Sequence, residues 1–373
     1  MSERSVTKPD PLRHLAVELQ DLERRDLLRR PGGARAPGLL DLCSNDYLGY
    51  GSDPSPEVNT CSGAGGSRLV TGDRAEHRMA EAILAEWLRA EAALLFSSGY
   101  AANVGTIAAL AGRGDVIVSD QLNHASLIDG CRLSGATVEV VAHCDLQAAE
   151  RALRGAAGAR HRWMVTESYF SMDGDTPDLA GLRRVCDATD SALIVDEAHA
   201  LGVFGDEGRG LCAAARVEPD VLIGTAGKAL GLHGAFVVGA ERLRLWLWNR
   251  ARSFVFSTGV SPGLAIAIGL RVQRTRSDEG ARIRLAETAG RLREAVGANG
   301  GSHGPIIPRL VGGAATAVAL SAQLRERGLL VQAIRPPTVP AGTARLRLTA
   351  SARLADLEIG TAVGVLRDLI HHP

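Results

Sequence analysis

The sequence predicts an α/β protein with a mainly parallel seven-stranded sheet and a smaller α+β domain after it. At 373 residues and 46% apolar composition, the chain can bury a large core and still form a second unit. From about Ala92 to Val238, short apolar runs mostly alternate with helix-like stretches, as in a parallel sheet with crossover helices. After Ser261, two long helix-like segments precede strand, helix, strand, strand and helix patterns that end near Ile370.

The elements follow in order along the chain. Leu12–Leu28 carries apolar residues at helical spacing among many charges, which predicts an amphipathic helix that the Pro31–Gly38 loop ends. The predicted strands of the large sheet are Ala92–Phe96, Val116–Ser119, Val138–Ala142, Trp163–Thr166, Ala192–Val195, Val221–Ile223 and Ala235–Val238. We expect residues 1–50 to pack with the small domain, 51–260 to form the large domain and 261–373 the small one.

Charge and cysteine usage limit the functional classes. Lysine plus arginine (42) equals aspartate plus glutamate (42), so net charge gives no support for a nucleic-acid or anionic-membrane partner. The six cysteines are scattered without a C-x-x-C pair, so we expect neither a metal site nor a disulfide framework. No apolar stretch approaches the roughly 20 residues of a membrane span, and the start lacks a signal-peptide core. We therefore expect a cytoplasmic protein.

Two residues at the ends of predicted strands suggest a cofactor. Asp196 follows the run Ala192–Val195, and Lys228 follows Val221–Ile223, so both lie where parallel strands deliver functional groups. Pyridoxal phosphate needs a lysine for covalent attachment and a carboxylate that keeps its pyridine nitrogen protonated. This acid and this amine therefore predict a pyridoxal phosphate site.

Competing interpretations of these motifs are weaker. Asp196-Glu-Ala-His199 spells the box of one class of helicases, but those ATPases need an upstream G-x-x-x-x-G-K-[ST] loop, which the sequence lacks. No G-x-G-x-x-G follows a predicted strand either. Lys228 on its own would be an ordinary surface lysine. Its small neighbours Ala226, Gly227 and Gly231, however, leave room for a planar ring.

The phosphate of such a cofactor has a candidate site in Leu94–Asn103. This segment predicts a strand, a tight turn and a helix start, whose unpaired N–H groups and dipole attract an anion. Gly99 permits close approach, although many such turns are only connections. Tyr100 either closes the site or serves packing alone. His124 follows the next strand, where it either stacks on a flat cofactor or is an ordinary core histidine.

Motifs spread over nearly the whole chain carry a family resemblance. They are Ser44–Gly49, Ser98–Asn103, Asn123–Leu127, Glu167–Asp175, Val195–His199, Thr225–Lys228 and Arg271–Gly280. Together they resemble the α-oxoamine synthases, fold-type I pyridoxal phosphate enzymes that condense an amino acid with an acyl thioester and release carbon dioxide. Ile334–Thr349, which reads IRPPTVPAGTARLRLT, is similar to the branch that joins L-alanine to a pimeloyl thioester in biotin biosynthesis. Relatives that use glycine or serine with other acyl-CoA partners typically differ in this segment.

The resemblance implies a role for each cofactor residue. Lys228 would bind the cofactor and later remove the alanine α-proton, while Asp196 keeps the pyridinium charged. The other implied contacts are His124 stacking on the ring, His199 reaching its phenolic oxygen, Ser171 hydrogen-bonding the cofactor, and Gly99, Tyr100 and Thr225 at the phosphate. Glu167 would shape the pocket. His199 alone would otherwise be a capping or loop histidine.

The substrate residues rest on the same resemblance. Arg347 and Asn45 are the candidates for the alanine carboxylate, because arginine offers a bidentate fork. Arg345 is a rival, since alternation places it on the same strand face; the family pattern favours Arg347. Thr338 lies in a proline-rich turn that would line the acyl channel. Arg29 would meet the distal pimeloyl carboxylate or is simply a solvated charge.

One departure from the family pattern and several alternatives remain. Between Gly49 and Gly72 the chain is several residues shorter than is usual in the family, yet Ser62–Ser67 keeps the glycine-rich loop that lies near the active site at the dimer interface. We therefore expect a homodimer, by resemblance alone.

The acyl donor is either pimeloyl-CoA or a pimeloyl carrier protein. An aminotransferase would keep Asp196 and Lys228, and a catalytically silent partner subunit usually loses the lysine.

Overall fold

The computed structural model describes residues 11–28, 38–54, 60–298 and 303–371 and has the predicted fold class. The helices are α1 (His14–Arg24), α2 (Ala75–Leu88), α3 (Gly99–Leu110), α4 (Ala125–Ser134), α5 (Leu146–Gly155), α6 (Leu179–Ala188), α7 (Gly210–Ala214), α8 (Glu241–Arg250), α9 (Arg252–Val255), α10 (Pro262–Ser277), α11 (Glu279–Val296), α12 (Ala314–Glu326) and α13 (Asp356–His371). The strands are β1 (Leu40–Asp41), β2 (Ala92–Phe96), β3 (Val116–Asp120), β4 (Thr137–Val141), β5 (Arg162–Glu167), β6 (Ala192–Asp196), β7 (Val221–Thr225), β8 (Ala235–Gly239), β9 (Ile306–Gly312), β10 (Leu329–Leu330), β11 (Gln332–Ile334) and β12 (Ala344–Thr349).

The large sheet has seven strands in the order β2-β8-β7-β6-β5-β3-β4. Strand β8 is antiparallel to both of its neighbours, and every other pair is parallel. Each of the seven strands lies close to its predicted bounds. The inner strands are nearly continuous apolar runs because helices cover both faces of the sheet, whereas the edge strand β4 is largely exposed. The predicted mainly parallel, seven-stranded sheet is confirmed.

Alternate residues of β2 show how the two faces are covered. Leu94 packs in the cluster that contains Ile107 of α3, whereas Leu95 packs with Leu84 of α2 and Ile268 of α10. Side chains of successive residues in a strand point to opposite faces of the sheet. The sheet is thus the middle layer between two layers of helices.

A second, antiparallel sheet has the order β11-β12-β9, and β12 is buried along its whole length. Strand β1 pairs in parallel with β10, and the backbone carbonyl of Leu42 accepts a hydrogen bond from Thr349 N–H at 2.8 Å. The chain before residue 50 therefore contacts the carboxy-terminal part. On this basis we propose the predicted division at residues 50 and 260.

Helix α1 is shorter than the predicted Leu12–Leu28, and none of its residues is buried. Leu15, Val17 and Leu19 are each at least 44% exposed, so the described part of the chain does not cover the apolar face of this helix. Among the described residues, no helix has the length and apolar character that crossing a bilayer requires.

Candidate active site

Polar side chains gather at the carboxyl edge of the large sheet. Strands β3, β5, β6 and β7 end in Asp120, Glu167, Asp196 and Thr225, and Lys228 follows β7 by three residues. Parallel neighbours bring their carboxyl ends to the same edge, which is where open α/β sheets bind ligands. The structure thus brings together the residues that the sequence placed on separate strands.

Asp196 is buried and held at both carboxylate oxygens. Its Oδ1 accepts from Ala198 N–H at 2.7 Å, and its Oδ2 accepts from Asn103 Nδ2 at 2.7 Å. The same Asn103 amide donates to Ser126 Oγ at 2.8 Å. Asn103 stands in the motif after Gly99, but no pattern in the sequence pairs it with Asp196, 93 residues away. These two bonds fix the orientation of the carboxylate.

Glu167 is a second buried carboxyl group, next to Asp196 on the neighbouring strand. It accepts a hydrogen bond from His124 N–H at 2.7 Å. Burial, together with the charge of Asp196, raises the pKa of Glu167 to about 8. Two neighbouring carboxylates do not both ionise readily in a buried site, so Glu167 keeps its proton to a higher pH than an ordinary glutamate does.

Lys228 presents an amine to this edge. Its side chain makes no hydrogen bond or ion pair with the described residues. Burial lowers the pKa of Lys228 to about 8, although the charges of Asp196 and Glu167 act in the opposite direction. A larger neutral fraction of the amine near pH 7 suits a nucleophile or a general base.

Of the residues predicted to bind the phosphate, Gly99 and Thr225 are neighbours, whereas the side chain of Tyr100 points to another helix. Helix α3 begins at Gly99, where Ser98 Oγ accepts from Ala101 N–H at 3.1 Å. A Cβ atom on Gly99 would lie 3.9 Å from Thr225 Cβ, so these two positions are neighbours. Tyr100 is half exposed, and its hydroxyl donates to Asp129 at 2.5 Å, so its phenol turns toward α4.

His124 is an exposed residue that caps α4. Its Nδ1 accepts from Ser126 N–H at 3.2 Å and lies 2.7 Å from Ser126 Oγ. Backbone and side chain are thus both fixed, the backbone by Glu167 and the ring by Ser126. The exposed ring is available for stacking on a planar ligand.

A line of hydrogen bonds connects Arg347 with His199. The Arg347 Nη2 donates to Asn45 Oδ1 at 3.1 Å, which also accepts from the Tyr47 hydroxyl at 3.3 Å. The Tyr47 hydroxyl lies 2.7 Å from His199 Nδ1. Burial and the charge of Lys228 lower the pKa of His199 well below its usual range, so the imidazole is neutral. Tyr47 has no role in the sequence-based prediction, although it stands in the quoted motif Ser44–Gly49.

Arg345 and Arg347 differ in their partners. Both are buried on strand β12. Arg345 forms an ion pair with Asp173 and donates from Nε to the Thr343 carbonyl at 3.1 Å. Arg347 donates from Nε to the Ser171 carbonyl at 2.6 Å and, among the described residues, has no carboxylate partner. A buried guanidinium with only neutral partners attracts an anionic ligand.

Two predicted substrate residues have less structural support. Thr338 is exposed, in the loop after β11. In the same loop Arg335 Nη2 donates to the Leu28 carbonyl at 3.2 Å. Arg29, the next residue in the sequence, lies outside the described residues.

The site fits pyridoxal phosphate by its donor set. It offers an amine that has no partner among the described side chains, a carboxylate fixed by an amide, and a helix amino terminus beside Gly99 and Thr225. These match the carbonyl, the pyridine nitrogen and the phosphate of the cofactor.

Comparisons with known proteins agree with this fit. The profile of the family "Aminotransferase class I and II" matches residues 37–366. An 8-amino-7-oxononanoate synthase of Marinobacter nauticus is 44% identical over 337 residues, which are 86% of this chain and 84% of that protein. One of Anaeromyxobacter dehalogenans is 43% identical, covering 91% of this chain and 90% of the relative.

Two solved structures illustrate the fold similarity. Serine palmitoyltransferase of Sphingomonas wittichii has a TM-score of 0.88 at 29% identity, over 97% of this chain and 98% of that chain. The 8-amino-7-oxononanoate synthase of Francisella tularensis has a TM-score of 0.75 at 26% identity, over 90% of this chain and 98% of the other.

Proposed function

Because the chain belongs to the 8-amino-7-oxononanoate synthases, pyridoxal phosphate-dependent acyltransferases of the α-oxoamine synthase family, we propose that it condenses L-alanine with a pimeloyl thioester. The products would be 8-amino-7-oxononanoate, carbon dioxide and the free thiol. The synthases of this name that are 44% and 43% identical over most of this chain support alanine as the amino acid.

The cofactor residues act as a set. Bound pyridoxal phosphate supplies an electron sink that stabilises the carbanion left when the amino-acid α-proton is removed. Asp196, fixed by Asn103, would accept a hydrogen bond from the pyridine N–H, and the backbone N–H groups at the start of α3, together with Thr225, would donate to the phosphate. His124 would stack on the ring, and Tyr100 and Ser171 would complete its surroundings. The neutral His199 would reach the phenolic oxygen.

Lys228 has two tasks in this proposal. Its amine would hold the cofactor, and the same amine would serve as the base that takes the substrate α-proton. The lowered pKa of Lys228, which burial causes, keeps a useful neutral fraction for both tasks. Glu167, whose pKa is raised to about 8, adds little negative charge near pH 7 that would stabilise the ammonium form of Lys228.

The assignment of an amino-acid substrate rests on Arg347. Its buried guanidinium has only neutral oxygen partners among the described residues, Ser171 and Asn45. The substrate carboxylate would neutralise the positive charge of Arg347, with Asn45 beside it. Arg345 is excluded from this task because Asp173 already neutralises it.

The acyl chain is assigned to the loop that carries Thr338. Arg335 of this loop donates to the Leu28 carbonyl at 3.2 Å. The family resemblance alone suggests Arg29, which lies outside the described residues, for the distal carboxylate of the pimeloyl chain; its alternative is a solvated surface charge. Either coenzyme A or a carrier protein is the leaving group.

A homodimer completes the proposal. Leu69 and Val70 follow the glycine-rich loop, and Phe256 lies nearby because Ser67 forms a bridge with Thr258. Val70 is 79% and Phe256 71% exposed, which leaves an apolar patch that a second copy would bury. Sedimentation of the holoenzyme checks this: a dimer is expected, and full activity in a monomer would contradict it.

The substrate assay uses three amino acids and three donors. L-Alanine, glycine and L-serine are each incubated with pimeloyl-CoA, pimeloyl carrier protein and palmitoyl-CoA, and products are identified by mass. We expect the alanine–pimeloyl product to form fastest with one of the two pimeloyl donors. The palmitoyl arm is included because a serine palmitoyltransferase has the same fold at a TM-score of 0.88. A serine–palmitoyl product as the main product would reject the proposal.

A further inference from the structure

A half-buried imidazole lies between two walls of the site. His143 follows β4, and its Nδ1 lies 2.9 Å from Asp120 Oδ1. Its Nε2 lies 3.0 Å from Asp175 Oδ2, on the opposite side of the ring. The imidazole is 15% exposed and Asp120 3%. A single side chain thus connects two carboxylates from distant parts of the sequence.

Asp120 fixes the first wall, the turn that leads to His124. Its Oδ1 also accepts from Leu122 N–H at 2.8 Å, and its backbone carbonyl accepts from Asn123 N–H at 3.2 Å. Its Oδ2 accepts from Cys144 N–H at 2.8 Å. The turn therefore cannot move without breaking its hydrogen bonds to the side chain and the backbone of Asp120.

The second wall is the loop 168–175, and Asp175 is its last residue. Its backbone carbonyl accepts from Phe170 N–H at 3.0 Å, and the Phe170 ring meets the His143 ring edge-on at 4.4 Å between centroids. Between these anchors the loop carries the Ser171 carbonyl that accepts from Arg347 and the Asp173 carboxylate that pairs with Arg345. The position of this loop therefore sets the position of both arginines.

The charge of His143 follows from its two partners. A neutral imidazole has one N–H group, and its second nitrogen would face a carboxylate with a lone pair. Burial favours the neutral form, but the hydrogen bonds to Asp120 and Asp175 outweigh it and raise the pKa of His143 to about 12. Cys144 Sγ lies 3.5 Å from Nε2.

We propose that His143 is a positioning residue for amino-acid binding. Its two ring N–H groups donate hydrogen bonds to Asp120 and Asp175, which connects the Asp120 turn with the loop 168–175 and fixes the Ser171 carbonyl against Arg347. The inference rests on the proposed function only for the identity of the amino acid. It assigns to His143 no contact with substrate or cofactor.

The test compares the holoenzymes of wild type, His143→Gln and the control His161→Gln, whose imidazole is exposed. L-Alanine is titrated while the absorbance of the bound cofactor is followed, which gives a dissociation constant without turnover. His143→Gln is expected to weaken alanine binding about tenfold, as expected for loss of a charged hydrogen bond, and to weaken cofactor binding less. The control is expected to match wild type. A merely structural residue would lower the melting temperature and leave the alanine constant of the folded fraction unchanged.

A second variant keeps the test decisive if His143→Gln does not fold. Asp175→Asn preserves the length of the loop and removes only the charged acceptor, so it is expected to weaken alanine binding in the same direction. Wild-type alanine affinity in either folded variant overturns the proposal. So does nitrogen NMR of the wild type showing an unprotonated ring nitrogen on His143 at pH 7. If the wild type binds no L-alanine, the proposed function fails. The NMR spectrum then still decides whether both ring nitrogens of His143 carry protons.

Discussion

The side chain of Asn103 donates a hydrogen bond to Asp196 over 2.7 Å, between residues that are 93 positions apart in the sequence. Helix α3 buries Asn103, and β6 delivers Asp196 to the sheet edge. The helix whose amino terminus we assign to the phosphate thus also fixes the acid that we assign to the pyridine nitrogen. In the proposed site, one helix would hold both ends of the cofactor.

Asn103→Ala tests this relationship. The variant removes a hydrogen bond to a charged group, which is worth about 1.5–3 kcal/mol, so we expect the apoprotein to bind pyridoxal phosphate at least about tenfold more weakly. The measurement is an absorbance titration of the apoprotein. Asn249→Ala, an exposed amide on α8, is the matched control. Equal cofactor affinity in both variants would remove Asn103 from the site.

Arg347→Gln and Arg345→Gln form a matched pair on one strand. Loss of Arg347 is expected to raise the KM for L-alanine by about tenfold or more, because a charged hydrogen bond to the substrate disappears. Loss of Arg345 leaves Asp173 without its partner and should lower the melting temperature with a smaller change in KM. Steady-state kinetics and thermal melts measure both. The reverse order of the two KM effects would assign the carboxylate to Arg345.

Glu167 gives a pH dependence of defined sign. Its pKa is raised from 4.5 to about 8 by burial and by Asp196, so the folded protein keeps a proton that the unfolded chain releases. Its contribution to stability is therefore present at low pH and lost as the pH rises between these values. Glu167→Gln cannot ionise. We expect the free energy of unfolding of the wild-type apoprotein, relative to this variant, to fall across that range.

Urea denaturation of both apoproteins at several pH values measures this difference. Lys228 does not interfere, because its pKa is lowered from 10.5 to about 8 and its contribution changes above that range. A difference between wild type and Glu167→Gln that stays constant with pH would mean that Glu167 is ionised in the folded protein.

The sequence predicted the sheet well and the side-chain partners poorly. Strands such as Ala92–Phe96 are recognisable because burial on both faces makes them continuous apolar runs, and their ends place Asp196 at the edge. Partners such as Asp173 for Arg345, 172 residues away, depend on how the loop 168–175 packs against the small sheet. Period-two alternation puts Arg345 and Arg347 on one face, so only these contacts distinguish them.

Lysine usage makes the attachment site easy to identify. The sequence contains two lysines, Lys8 and Lys228. Borohydride reduction of the bond between cofactor and lysine, followed by peptide mapping, is expected to find the label on Lys228 alone. Lys228→Ala should take up no label and show no turnover, while Lys8→Arg should behave as wild type. Label on Lys8, or turnover by Lys228→Ala, would contradict the assigned role.

The fate of the substrate carboxylate tests the central claim most directly. Holoenzyme is incubated with L-alanine labelled with carbon-13 at the carboxyl carbon and with either pimeloyl donor. We predict one labelled carbon dioxide for each molecule of unlabelled 8-amino-7-oxononanoate. Label retained in the product, or labelled pyruvate without carbon dioxide, would contradict a decarboxylative condensation at this site.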